Sequence, residues 1–268
     1  MKLLYFIGGY FMLDAFDSYL YGLILSDGTI YETTRNRGKI VIELHKKDSE
    51  LLEKIHALLP ESYLHGRSRA TNFTQHIETV MLSVYKQDFR ERFKSYGIPL
   101  KDKSIVGTVP NVDYVASAFW RGVYDGNGSI GMTGNNEPFV SLVTKSVALK
   151  DELLNLLRDS FGVYKNLCPN KRDHVYNIVL KNEDAISFAN FLYSDAGIYM
   201  QRKYDSYCKI LTWKRIRKKR LEKSWSVSEV DFIQHHSVKE SVMTLGRSEQ
   251  AIKMKLWRLH SKVYVDKE

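Results

Sequence analysis

Two nine-residue segments stand 100 positions apart in this chain: Leu20-Tyr21-Gly22-Leu23-Ile24-Leu25-Ser26-Asp27-Gly28 and Trp120-Arg121-Gly122-Val123-Tyr124-Asp125-Gly126-Asn127-Gly128. Each reads as the end of a helix with glycine at its third place, followed by a tight polar turn. Thr29-Ile30 or Ser129-Ile130 then opens a strand. The same spacing relates Tyr96-Gly97-Ile98-Pro99 to Ala196-Gly197-Ile198-Tyr199. A repeat of this length constrains the chain to two related halves of one fold, each about the size of a small domain.

Within a half the expected order is helix, strand pair, helix, strand pair, helix. Lys39, Val41, Glu43 and His45 alternate with Ile40, Ile42 and Leu44, the period of a strand with one buried face. Asp48 is placed to cap a helix in which Leu51, Leu52, Ile55, Leu58 and Leu59 recur at helical spacing, and Pro60 stops it. Arg67 and Arg69 then share one face ahead of a strand over Thr79–Tyr85. The second half repeats the scheme with Phe139–Lys145, a helix through Leu153 and Leu157, Val175–Leu180 and a helix through Phe188 and Phe191. Each half is therefore an α+β unit with its sheet half exposed.

The net charge of +9 is unevenly placed. Residues 1–200 carry 23 basic and 23 acidic side chains, whereas residues 201–268 carry 17 basic and 8 acidic ones. A polyanion is the expected partner of that tail, because each phosphate neutralised by Lys or Arg releases counterions. The apolar opening Met1–Leu13 lacks a small-x-small cleavage site and reads against a secretory signal. With two cysteines, Cys168 and Cys208, and no membrane span expected, an intracellular, reducing, cytoplasmic setting is the expectation.

Hydrolysis of a phosphodiester calls for a divalent cation that neutralises phosphoryl oxygens and activates water, so a carboxylate must be held near the scissile phosphate. Asp27 has that position, and the helix-end carbonyls of Ser26 and Gly126 are candidate additional oxygen ligands. Gly22 and Gly122 would let the two helices pack closely and bring their ends together. Asp-Gly turns are common, and the recurrence of this one within a duplicated unit is what gives it weight.

These segments resemble the motif helices of the LAGLIDADG homing endonucleases, in the single-chain form with two motif copies, over about residues 14–212. The resemblance implies a pseudo-two-fold pair of αββαββα halves whose motif helices form the interface. It also implies antiparallel saddle sheets lying along double-stranded DNA. It implies cleavage of both strands with Mg²⁺, or another divalent cation such as Mn²⁺, by a monomer encoded in an intron or phage mobile element. The eighth motif residues, the expected metal ligands, are Asp27 and Asn127, and Asp125 is the sixth residue of the second copy. Asn127 keeps the shape of an acid without its charge, so nicking or a trapped inactive form is expected. It has three readings: a substitution made to trap uncleaved DNA, a strand-specific nickase, or a site that works with one good acid. Basic residues near each metal centre would be Lys86 and Lys181, with Lys103 and Lys203 a second matched pair. A non-cleaving DNA- or RNA-binding protein of the same fold, such as an intron maturase or a regulator, is the alternative.

For DNA contact the first half offers Arg35, Arg37, Lys39, Glu43, His45, Arg67, Arg69 and Gln75, and the second Ser141, Lys145, Lys165, Lys171 and Arg172. Lys214, Arg215, Arg217, Lys218, Lys219 and Arg220 form a basic linker. The last segment resembles a helix-turn-helix domain of Myb or resolvase type, through Trp225-Ser226 and Leu245-Gly246-Arg247-Ser248. Its third helix would turn Ile252, Leu256 and Leu259 inward and present Lys253, Lys255 and Arg258, with Arg247 at its start, to a groove. Trp225 and Trp257 are its candidate core rings. The expected domains are 1–105, 106–212, a linker at 213–224, and 225–268.

Overall fold

The computed structural model describes residues 6–7, 10–32, 37–69, 77–215 and 224–263. Two compact units divide at residue 215, Met1–Arg215 and Ile216–Glu268, slightly beyond the boundary expected from composition.

The first unit opens with two-residue strands β1 (Phe6–Ile7) and β2 (Tyr10–Phe11), which pair antiparallel. Helix α1 (Ala15–Asp27) begins where the Asp14 side chain accepts a hydrogen bond from Asp17 N at 2.7 Å. It ends at Gly28, which opens strand β3 (Gly28–Glu32). Strand β4 (Gly38–His45), helix α2 (Ser49–Leu58), strands β5 (Ser62–Arg69) and β6 (Ile77–Val84), helix α3 (Gln87–Ser95) and the single turn α4 (Lys103–Val106) complete the first half. The sheet is antiparallel in the order β3-β4-β6-β5. Its core face, with Ile40, Ile42, Leu82 and Val84, packs into the apolar interior.

The second half runs α5 (Ala116–Asn127), β7 (Gly128–Met132), β8 (Pro138–Thr144), α6 (Val147–Phe161), β9 (Tyr176–Lys181), α7 (Asn182–Tyr193) and α8 (Gln201–Leu211). Its sheet, β7-β8-β9, has three strands, so the expected fourth is a correction. The segment 163–168 still alternates between half-buried and exposed, with Val163 and Leu167 against the core. It forms no ladder with β9, and the turn that follows is closed by Asn170 N to Val175 O at 2.9 Å and His174 N to Asn170 O at 3.2 Å. Pro169, which has no N–H to give, sits next to that turn.

A second departure concerns Asp48, whose side chain does not cap α2 but accepts from Arg202 Nε at 2.8 Å, tying the second half's α8 to the first half's α2.

Both halves meet along α1 and α5. A Cβ on Gly22 would overlap the Phe119 carbonyl oxygen and lie 2.9 Å from Val123 N, and one on Gly122 would overlap the Tyr19 carbonyl oxygen and lie 2.8 Å from Leu23 N. The four neighbours are themselves related by the spacing of 100, so backbone meets backbone in a reciprocal, pseudo-two-fold contact. Around it Tyr19, Leu20, Leu23, Phe119, Trp120 and Val123 are all buried.

The second unit holds α9 (Val227–His235), α10 (Val238–Leu245) and α11 (Glu249–Val263). Ser226 with Glu229, and Ser237 with Glu240, form reciprocal capping boxes, and Gly246 ends α10 at φ +61°. Ile233 and Ile252 are its buried apolar residues.

Substituting Gly22→Ala or Gly122→Ala should each lower stability by about 1–3 kcal/mol, because a methyl group is forced against backbone. Gly134→Ala, with nothing near its Cβ, should stay within about 0.5 kcal/mol. Urea unfolding at neutral pH checks this, and near-neutral behaviour at Gly22 would contradict the close contact.

Candidate active site at the paired helix ends

Asp27 and Asn127 are the last residues of α1 and α5, and the helix contact brings these ends together. A Cβ on Gly126 would collide with the Ser26 side chain and lie 3.3 Å from Asp27 Oδ2. Ser26 Oγ donates to Gly22 O at 3.1 Å and across the interface to Val123 O at 3.2 Å. The side chain of Asp27 is half-buried and that of Asn127 exposed. Glycine at 126 therefore leaves room for the Ser26 side chain, with the Asp27 carboxylate close beside it.

Helix C-termini leave carbonyls without intrahelical partners and concentrate negative potential. Two lysines answer it. Lys103 Nζ donates to Ile24 O at 2.6 Å and to Gly28 O. Lys203 Nζ donates to Tyr124 O, to Asp125 O at 2.8 Å and to Gly128 O at 2.8 Å. Burial pushes both ammonium groups down to about 8, while the Asp27 carboxylate acts in the opposite direction on each. Burial in turn raises Asp27, opposed first by Lys203, then by Lys103 and Arg202. Asp27 thus stands among two lysines and the Arg202–Asp48 ion pair, whose Asp48 carboxylate raises it further.

The residues brought together are Ser26, Asp27, Gly126, Asn127, Lys103 and Lys203. Lys86 and Lys181 lie elsewhere: Lys86 is exposed at the start of α3, and Lys181 is exposed at the end of β9. Arg202 has no basic counterpart 100 positions earlier, where Asp102 stands, so the repeat gave no signal for it.

The candidate ligands at the helix ends are all oxygens: the Asp27 carboxylate, the Asn127 amide oxygen and the Ser26 and Gly126 carbonyls. Among the described residues no group of three or more His, Cys, Asp or Glu converges. Such a set fits a hard divalent cation that keeps several waters and takes further oxygens from a phosphate, and it does not fit zinc.

On the solvent-facing side of the first sheet, register places Lys39 opposite Tyr31, Glu43 opposite Met81, and His45 and Arg67 opposite Thr79. Thr79 Oγ1 donates to Glu43 at 2.7 Å. Arg37 and Arg67 are exposed. Ser141 and Lys181 share the corresponding face of the second sheet, on neighbouring strands. Lys145, Lys171 and Arg172 are exposed on loops, Lys165 is half-buried, and Arg172 pairs with Asp173. Lys214 is exposed, and Arg215 pairs with Glu183. Arg35, Gln75, Arg217, Lys218, Lys219 and Arg220, with the side chain of Arg69, lie outside the described residues.

In the second unit Lys253 and Arg258 are exposed, Lys255 is half-buried, and Lys253 pairs with Glu249. Arg247 is a correction. Its guanidinium forms a fork with Glu229 at 2.9 Å on both sides, donates to Ser224 O, and lies 4.0 Å over the Trp225 ring. It serves the fold of this unit and is not offered outward. Trp257 is also a correction as a core ring, being 67% exposed.

Residues 115–192 match the family model of a LAGLIDADG-like domain. Comparison with curated protein sequences finds no match. Among solved structures the fold is similar to the homing endonuclease I-WcaI bound to its DNA recognition sequence, with a TM-score of 0.55, 17% identity, and coverage of 73% of this chain and 88% of that one. The meganuclease I-AabMI bound to uncleaved DNA (TM-score 0.44, 15% identity, 74% and 90% coverage) is also similar. So is full-length DUF199/WhiA from Thermatoga maritima (0.46, 15%, 91% and 89%). Residues 115–192 are therefore a LAGLIDADG-like domain, and the mixed helix and antiparallel-sheet fold of the chain is similar to that of a homing endonuclease. No helix among the described residues is long and apolar enough to cross a membrane.

Two titrations follow. Lys103 and Lys203 bind fewer protons folded than unfolded above about pH 8, so stability should rise with pH from 8 toward 10. Above that, buried Tyr19, Tyr21, Tyr124 and Tyr193, all held above their ordinary value, reverse the trend. Lys203→Met should flatten the rise between pH 8 and 10, read from urea midpoints. Glu229, held down to about 2 first by Arg247 and then by the Ser226 N–H, should titrate near that value in carbon-detected NMR. Its contribution to the capping box should be lost as pH falls from its ordinary range toward 2, and Arg247→Ala should return it upward.

Proposed function

We propose that this chain is a monomeric, intracellular, site-specific DNA endonuclease of LAGLIDADG type, with both motif copies in one polypeptide and two unequal active sites. The observation that carries the reading is the meeting of two helix ends, where a single half-buried carboxylate, Asp27, lies against Gly126 between Lys103 and Lys203. The DNA complexes of the similar endonucleases support double-stranded DNA as the substrate.

In this reading Asp27, with the Ser26 and Gly126 carbonyls and the Asn127 amide, would hold Mg²⁺ or Mn²⁺, which supplies charge neutralisation and an acidified water. Lys103 and Lys203 place positive charge where the phosphate gains negative charge, at a helix-end position that needs no rearrangement. The exposed sheet faces, through Lys39, Glu43, His45, Arg67, Ser141 and Lys181, contact the duplex. The three-helix unit adds a helix-turn-helix contact through Lys253, Lys255 and Arg258.

Asn127 makes the two sites unequal. An amide can still offer oxygen to a cation but neither neutralises it nor takes a proton. The same residue favours the second reading, a regulator or maturase that binds nucleic acid without cutting it.

Strand-resolved cleavage of a selected DNA target in Mg²⁺ separates them. Single-strand nicking is expected, with Asn127→Asp raising cleavage of the second strand by about tenfold or more and Asp27→Ala abolishing cleavage while DNA binding persists. Equal cutting of both strands before and after Asn127→Asp would refute the inequality. Absence of cleavage even with Asn127→Asp would establish the binding protein.

A further inference from the structure

Asp125 is fully buried, yet its carboxylate is completely engaged. It accepts from Tyr19 Oη at 2.7 Å, Tyr193 Oη at 2.6 Å and Met200 N at 2.8 Å. Tyr19 comes from α1 in the first half, Tyr193 ends α7, and Met200 is the N-cap residue of α8. One side chain on α5 therefore joins three other helices.

The first half has no such network. At the spacing of 100, Leu25 replaces Asp125, Phe119 replaces Tyr19 and Phe93 replaces Tyr193, and all three are buried. An acid and its two phenol donors, one of them reaching across the interface, thus stand as a set where three apolar side chains fill the pseudo-symmetric place. A lone carboxylate in that core would cost several kcal/mol, and only the complete set removes the penalty. Packing alone does not require the set, because the pseudo-symmetric place packs without it.

What differs beside the two sets is the lysine. Lys203 lies in the first turn of an eleven-residue helix whose N-cap residue, Met200, gives its N–H to the Asp125 side chain, and its Nζ is received by the Asp125 carbonyl among others. It is 3% exposed. Lys103 lies on a four-residue turn and reaches two carbonyls. Of the cations acting on Asp27, Lys203 is the strongest.

We propose that Asp125 is a positioning residue: with Tyr19 and Tyr193 it fixes the start of α8 and so holds Lys203 over the paired helix ends beside Asp27. This deepens the endonuclease reading and rests on it for the consequence to cleavage, whereas the placement of Lys203 is independent of it.

The test puts the apolar set of the pseudo-symmetric place into the polar one, Asp125→Leu with Tyr19→Phe and Tyr193→Phe, in the full chain. On the DNA-free protein, reductive methylation read by peptide mass spectrometry should show Lys203 modified several-fold faster than in the parent, with Lys103 unchanged. With DNA, single-turnover nicking should fall about tenfold with affinity within about twofold, and the transplant should add nothing further in a Lys203→Met background. If the transplant does not fold, Asp125→Asn carries the same measurements, since an amide of the same shape cannot accept from all three donors. An unchanged methylation rate at Lys203, or a loss of cleavage that adds to that of Lys203→Met, overturns the proposal. A parent chain that never nicks overturns the nuclease reading and leaves the methylation result to decide the positioning.

Discussion

Everything at the candidate site depends on two helices touching through backbone at Gly22 and Gly122. With side chains of ordinary size at those positions the helices would stand apart by the thickness of an interdigitated layer. Their last turns, and the residues those turns carry, would then not meet. The glycines weaken each helix taken alone by roughly 1 kcal/mol relative to alanine. That cost is offset by the apolar surface of Tyr19, Leu20, Leu23, Phe119, Trp120 and Val123 buried around the contact. The third glycine of the site, Gly126, acts over a shorter range, because any side chain there would fill the space held by Ser26 and Asp27.

Pseudo-symmetry sets the frame, and departures from it set the chemistry. Backbone contacts and lysine-capped helix ends obey the spacing of 100, since they depend on geometry that both halves share. Charge does not obey it. Asp27 faces Asn127, Leu25 faces Asp125, and Arg202 faces Asp102. A carboxylate survives in the interior at 125 because three donors reach it; the Arg202–Asp48 pair links α8 to the opposite half, as the Ser146 hydroxyl bonded to Gly107 O links the end of α4, but Lys203 reaches three carbonyls where Lys103 reaches two. The second half therefore contributes the better-anchored cation to the site at which the first half contributes the acid.

Much of this was legible in the sequence for one physical reason: a repeat is compared with itself. The glycines, the helix ends, Asp27 against Asn127 and the candidacy of Lys103 and Lys203 all follow from aligning one half on the other. What escaped was what depends on tertiary partners. Lys103 and Lys203 keep the spacing of 100 and Lys86 and Lys181 do not, yet only the fold shows the first pair returning to the helix ends. Asp48 looked like a cap because Asp before a leucine-rich helix usually is one, until Arg202 claimed it. Arg247 looked like a groove-facing cation, but Glu229 lies eighteen residues earlier and no helical periodicity pairs them. In the segment 163–168 the alternation of a strand is present and the ladder is absent, which periodicity cannot reveal because it reports side-chain burial and not hydrogen bonding.

The electrostatics of the helix ends suit a phosphate and a divalent cation together. Three cations, Lys103, Lys203 and Arg202, act on Asp27, and the ammonium groups of both lysines are held below their ordinary value by burial. A phosphate placed among them would favour their charged forms, and a divalent cation at the Asp27 carboxylate would favour its ionised form. Each partner thus improves the site for the other, because a phosphate alone would face Asp27 and a cation alone would face the lysines. On the Asn127 side the lysines remain and the acid does not, so phosphate can be received there without equal attraction for a metal ion. In the proposed reading, this arrangement would hold both strands of a duplex and act preferentially on the one beside Asp27.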